Sequence, residues 1–263
     1  MPRRNKTNVL VGVLALIALI FLTLPIVALV IRAVANRAWE GAGDSAVWSA
    51  IQLSFASTAL TVIVTTLFGT PLAYTLARRR FRFKRWVMVV IELPIVLPPA
   101  VAGLALLITF GRRGLIGSLL VPFDITLAFT FTAVVMAQTF VAAPFFIRAA
   151  QIGFQAVPRE LEDAGRVDGA DGWTLFRFVT LPLAGRALST GLILCWARAL
   201  GEFGATILFA GSLQGRTQTM PLLIYNIIER DIDAAIWTGL LLIGLALIAL
   251  ITARLIERAP DDV

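Results

Sequence analysis

Between Lys6 and Arg32 the chain carries no ionisable side chain. The apolar run from Val9 to Ile31 is about 23 residues long, and a helix needs ~20 residues to cross a hydrocarbon layer of ~30 Å. Such a layer offers no water to the backbone, so only a helix or a closed barrel can cross it with its N–H and C=O groups satisfied. Barrel strands alternate in polarity, and an unbroken apolar run therefore selects the helix. The start, Arg3-Arg4-Asn5-Lys6, and the small residues Ala33-Val34-Ala35 resemble a secretory leader with its cleavage site. The apolar core of a leader runs only ~7–15 residues, and the longer run here reads as a retained anchor.

Five further apolar runs follow: Val47 to Ala77, Val87 to Phe110, Leu127 to Ile147, Leu183 to Ala210 and Ile236 to Ala253. The expectation is an all-α integral membrane protein with six transmembrane helices. Composition agrees, with 59% hydrophobic and only 15% charged residues, against roughly 25% charged in soluble domains. Lys and Arg accumulate on the cytoplasmic side of short loops. With both termini inside, the inner segments hold sixteen basic residues and the outer ones six, with Arg198 inside a span. This asymmetry predicts cytoplasmic termini and accounts for the net charge of +7 without nucleic acid. The expected division is residues 1–45 for the first span and external loop, 46–257 for the main membrane domain, and 258–263 for a short cytoplasmic tail.

Several kinds of chemistry are excluded by composition. The chain has no histidine and one cysteine, Cys195. An internal disulfide, a Cys/His metal centre and a Ser-His-Asp arrangement therefore lack their parts, and neither a catalytic residue nor a metal site is expected. Its two lysines, Lys6 and Lys84, do not close a G-x-x-x-x-G-K-[ST] loop, so any nucleotide energy comes from a partner.

One polar segment interrupts the apolar pattern. Pro158 suits a first helical turn, and Glu160, Glu162 and Asp163 place negative charge near that N-terminus. Asp168-Gly169 is a turn signal. Asp171 can cap a second helix, with Trp173, Phe176 and Val179 or Thr180 at helical spacing and Pro182 as its stop. A connector needs only a few residues, whereas this one uses about 35 and lies on the predicted cytoplasmic side.

Asp163-Ala164-Gly165, three residues, Gly169, nine residues, then Val179-Thr180-Leu181-Pro182 resembles the E-A-A-x3-G-x9-I-x-L-P loop of ABC importer permeases. Asp stands for Glu, Gly165 for the second Ala and Val for Ile. The neighbouring Glu162 leaves two acids that can fill the family's acidic role. The resemblance implies the type I importer permease fold, with a coupling helix between the fourth and fifth spans that docks in a groove of an ATPase subunit. Coupling residues are then Glu160, Leu161, Glu162, Asp163, Ala164, Gly165, Asp168, Gly169 and Ala170. It also implies two ATPase copies using ATP and Mg, a second and identical permease copy, an extracytoplasmic oxyanion-binding protein, and a bacterial cytoplasmic membrane. No cofactor is expected on this chain.

Two other stretches narrow the resemblance. Glu92-Leu93-Pro94-Ile95-Val96-Leu97-Pro98-Pro99-Ala100-Val101-Ala102-Gly103 is similar to a run in molybdate permeases. Arg198-Ala199-Leu200-Gly201-Glu202-Phe203-Gly204-Ala205-Thr206 is similar to one shared by molybdate and sulfate permeases. The implied cargo is molybdate, with tungstate, and with sulfate or thiosulfate as the alternative. The resemblance runs from about residue 45 to the end. An ion-coupled secondary transporter, with Glu92 and Glu202 as coupling carboxylates, is the competing class. It would require inverted repeats and leaves the polar helix pair unexplained.

Physically, Pro94, Pro98 and Pro99 should kink or locally unwind the third span. Such irregular backbone serves either packing or a water-lined path. Glu92 snorkels, pairs with the Arg78–Arg85 cluster or takes part in transport. Arg198 and Glu202, four apart, form either a gate element or a structural ion pair. Gly201 and Gly204, with Gly191, allow close helix approach. The expected pathway or gate set is Pro98, Pro99, Arg198, Gly201, Glu202, Gly204 and Thr206. Ser54, Thr58, Thr61 and Thr65 form one hydroxyl stripe, read mainly as helix packing. The polar outer loop, with Gln214, Arg216, Thr217 and Gln218, is the expected dock for the binding protein.

Overall fold

A computed structural model describes the backbone of residues 6–41 and 45–258, and the side chains of 10–39 and 45–251. Among the described residues the chain is entirely helical, without strands. The principal helices are α1 (Lys6–Ala35), α2 (Ser45–Arg78), α3 (Lys84–Val96), α4 (Pro99–Phe110), α5 (Phe131–Ala156), α6 (Arg159–Val167), α7 (Gly172–Leu183), α8 (Gly185–Leu200), α9 (Gly204–Phe209), α10 (Met220–Ile227) and α11 (Ile232–Arg258). Of the predicted tail, 258–263, Arg258 is the last residue of α11 and 259–263 lie outside the described residues.

Four of these helices, α1, α2, α5 and α11, are long and apolar enough to cross a bilayer as single rods. Two further candidates are bent pairs. The expected third span is broken between α3 and α4 by 114°, far sharper than a kink. Pro98 and Pro99 supply no N–H to continue the ladder, and Leu97 before them is extended, as a residue preceding proline must be. The expected fifth span, Leu183 to Ala210, is not one helix either. It ends at Leu200, resumes at Gly204, and joins α7 at a 72° bend.

The second helix of the polar segment ends at Leu183, one residue past Pro182, at the 72° bend. Phe176–Thr180 forms a π-helical turn in which the Leu181 N–H donates to the Phe176 carbonyl. Pro182 then falls in the first turn of the following segment, where its missing N–H is tolerated. The chain continues into α8.

α5 is the hub. It packs against α2 and α8 through Ala73, Leu76, Phe146, Ala150, Phe154 and Leu188. Close approach is set by glycines: a Cβ on Gly153 would sit 2.5 Å from the Ala187 Cβ, and one on Gly191 would sit 2.9 Å from the Ala149 Cβ. α1 is different, being apolar and exposed along its length. Among the described residues it meets α11 near its end, where Ala33 and Ala38 pack with Ile236, Trp39 meets Trp237 edge-on, and Asn36 donates to Asp233 at 3.1 Å.

Candidate functional site

The polar pair α6–α7 folds for local reasons. Glu160 and Glu162 occupy the first turn of α6, and Gly169 ends the connection with φ +89°. Only glycine adopts that conformation without penalty. Asp171 caps α7 by accepting the Thr174 N–H at 2.7 Å. Bonds from Thr174 hold the Asp171 carboxyl below its usual pKa. Gly165 lies against Leu175, where a Cβ would come within 2.6 Å of the Leu175 Cδ2.

The two candidate acids separate cleanly. Asp163 is exposed and pairs with Arg166 at 2.9 Å. Glu162 is buried, 5% exposed, and points inward. Its Oε1 accepts from Arg78 Nη2 at 2.7 Å and from the Thr180 hydroxyl at 2.8 Å. It is therefore not part of the outer face. Glu160, Leu161, Asp163, Ala164, Asp168 and Gly169 form that face, with Val167 (88% exposed) and Trp173 beside them, while Gly165 and Ala170 are half-buried.

Deeper in the bundle, the break between α3 and α4 meets the gap between α8 and α9. A Cβ on Gly204 would lie 2.5 Å from the Pro99 Cβ, and one on Gly103 would lie 2.7 Å from the Ala205 carbonyl oxygen. Gly103, inside a quoted motif, is thus a contact residue that spacing alone did not single out. Gly201 makes no such approach. It caps the end of α8 instead. Glu202 is 1% exposed, pairs with Arg198 at 2.7 Å, and accepts the Ala205 N–H at 2.8 Å. The ion pair forms as spacing suggested, although the residues do not share one continuous helix. Thr206 is fully buried, and its hydroxyl has no partner among the described residues.

Other expectations resolve differently. Glu92 pairs with Arg148 on α5 at 3.4 Å, not with the Arg78–Arg85 cluster. Two members of the hydroxyl stripe join helices: Thr61 donates to Gln138 of α5 at 3.0 Å, and the Ser54 hydroxyl accepts the buried Met220 N–H of α10 at 2.8 Å, whereas Thr58 donates within α2 to the Ser54 carbonyl at 2.7 Å. In the loop before α10, Gln214 and Arg216 are exposed. Thr217 and Gln218 are buried and bond the loop to itself, through Leu213 N–H and Ser212. They are unavailable as a docking surface.

Residues 69–260 match the model of the family described as binding-protein-dependent transport system inner membrane component. This chain belongs to that family. Among curated relatives, the inner membrane component is 40% identical to the molybdenum transport system permease protein ModB of Mycobacterium tuberculosis over 246 residues, covering 94% of this chain and 92% of the relative. It is 37% identical to ModB of Escherichia coli K12 over 218 residues, 82% of this chain and 95% of that one. The sulfate transport system permease protein CysW of Synechococcus elongatus is 36% identical over 216 residues, 82% and 76% of the two chains. A crystal structure of a bacterial ABC transporter involved in alginate import shares the fold at TM-score 0.78 and 14% identity, covering 98% of both chains. The MetNI methionine ABC transporter shares it at TM-score 0.61 and 20% identity, covering 89% of this chain and 97% of that one.

Proposed function

We propose that this inner membrane component is the transport subunit of an ATP-driven importer that carries molybdate into the cytoplasm, with tungstate as a close substitute. The 40% identity to molybdenum permeases over 94% of the chain carries this reading. Sulfate is the second cargo, favoured by the CysW relative. Six spans cross the membrane, four as rods and two as bent pairs, with both termini cytoplasmic and the permease domain at 46–257.

In this reading α6 docks in a groove of the ATPase. Its exposed acids, the apolar Leu161 and Val167, and the Gly169 turn make the contact, with Ala164, Gly165, Asp168 and Ala170 alongside. The exposed apolar side chains are unfavourable in water and gain from a partner surface. ATP and Mg act on two copies of that subunit, and this chain needs no catalytic residue. A second, identical permease copy completes the path, and an external oxyanion-binding protein docks near Gln214 and Arg216. The gate is the junction where Pro98, Pro99, Gly204 and the Arg198–Glu202 pair meet, with Gly201 and Thr206 beside it. Packed interfaces switch between discrete arrangements rather than deforming continuously.

The test is ATP hydrolysis in proteoliposomes holding the permease, its ATPase and the binding protein, with each oxyanion added in turn. Molybdate is expected to stimulate hydrolysis and accumulate inside. Stimulation by sulfate alone would reassign the cargo. Uptake with no ATPase present would remove the importer reading itself.

A further inference from the structure

The buried acid of the coupling segment faces the membrane helices, and its surroundings have a mechanical meaning. Arg78 is the last residue of α2. Its Nη2 donates to the Val157 carbonyl, just past the end of α5, at 3.1 Å and to Glu162 of α6 at 2.7 Å. Glu162 also accepts from Thr180, in the π-helical turn of α7, at 2.8 Å. One guanidinium and one carboxylate thus join four elements. The Arg78 and Glu162 side chains are 12% and 7% exposed. Tyr74, one turn before Arg78, stacks edge-on against Phe154 and Phe176 and keeps water away from one side. A charge pair in such surroundings is held firmly, because separating it strands a charge.

We infer that Arg78, Glu162 and Thr180 are positioning residues that transmit motion of α6 to α2 and, through the π-helical turn, to α8. This rests on α6 being the segment that couples to the ATPase. The joint sits where transmission requires it. α2 runs from Arg78 to the outer side, where Ser54 holds the start of α10. α8 runs from the 72° bend to the Arg198–Glu202 pair and the Pro99 contact. The ion pair is single rather than forked, and Arg78 Nε is buried with no acceptor among the described residues. Arg78 therefore has a donor free to take up a second arrangement when α6 moves. π-helical turns of this kind are frequent at functional sites.

The experiment compares assembled permease–ATPase complexes in proteoliposomes and measures ATP hydrolysed per molybdate accumulated. In Glu162→Gln the complex still co-purifies, and the ratio rises about tenfold, as expected for residues in direct contact. Thr180→Val removes only one hydroxyl bond and raises the ratio about threefold. The exchange Arg78→Glu with Glu162→Arg returns it to within about threefold of the wild-type value. A purely structural staple would lower the yield of complex and leave the ratio of the surviving complex unchanged. An unchanged ratio in Thr180→Val and in assembled Glu162→Gln would overturn the joint while the coupling reading stands. If the wild-type chain fails to hold its ATPase, both fall.

Discussion

Gly204→Ala tests the junction most directly. The new Cβ would lie 2.5 Å from the Pro99 Cβ, with the Pro99 carbonyl carbon and Cα at 3.3 and 3.4 Å. Carbon atoms in contact rest at roughly 3.5–4.0 Å, so the two breaks must separate by about 1 Å or more. The proline ring cannot rotate aside, and relief has to come from moving α4 against α9. Overpacking of this kind costs ~1–3 kcal/mol, equivalent to ~5- to 150-fold in the balance between two packings. The measurement is oxyanion uptake in proteoliposomes beside the unfolding temperature of the complex. Uptake should fall at least about fivefold while the ATPase still co-purifies, because α6 is remote from the change. Adding Pro99→Gly removes the opposing carbon and should restore more than half of the lost uptake. Wild-type uptake and stability in the single variant, or no rescue in the double, would show that the two breaks do not bear on one another.

Glu202→Gln leaves Arg198 without its carboxylate. Breaking a buried pair costs ~3–5 kcal/mol, and partial exposure of Arg198 sets the expectation at the lower end, read as a lower unfolding temperature in detergent. Ser54→Ala strands the buried Met220 N–H, costing ~1–3 kcal/mol by the same assay, with uptake reduced in parallel. Gly169→Val forces a branched side chain into φ +89°, a strain of at least ~1–2 kcal/mol, and should weaken ATPase co-purification more than it lowers permease stability. The depressed pKa of Asp171 means its cap is fully formed above the ordinary value of 3.8 and is lost only as pH falls further, through the lower value that the Thr174 bonds set. Hydrogen exchange at the Thr174 amide should therefore accelerate in acid in the wild type but show no such step in Asp171→Asn.

The legible features were those set by short-range chemistry. The Asp171 cap, the Gly169 turn and the long runs of α1, α2, α5 and α11 follow from neighbours within a few residues. Pro98-Pro99 announced a break, but its 114° angle depends on how α4 packs against α9 through Gly103 and Gly204. Pro182 marked the end of α7 to within one residue, but the π-helical turn ahead of it left no local signal. Glu162 and Asp163 are adjacent and chemically alike. Helix rotation, set by where α6 meets α2, turned one inward to Arg78 and left the other in solvent. Likewise Thr217 and Gln218 looked like an exposed polar loop until Ser212 and Leu213 folded back to take their bonds.

The sequence by itself determined that this chain lives in a bilayer as helices. Hydrocarbon forbids an unpaired backbone, and that demand is met within each segment, using residues at most a turn apart. It also carried the spacing of the polar helix pair. Only the tertiary structure decided which side chains meet: Glu162 with Arg78 across 84 positions and Ser54 with Met220 across 166. Such contacts depend on the rotation and depth of whole helices, which no local pattern specifies because every helix in lipid is apolar on more than one face.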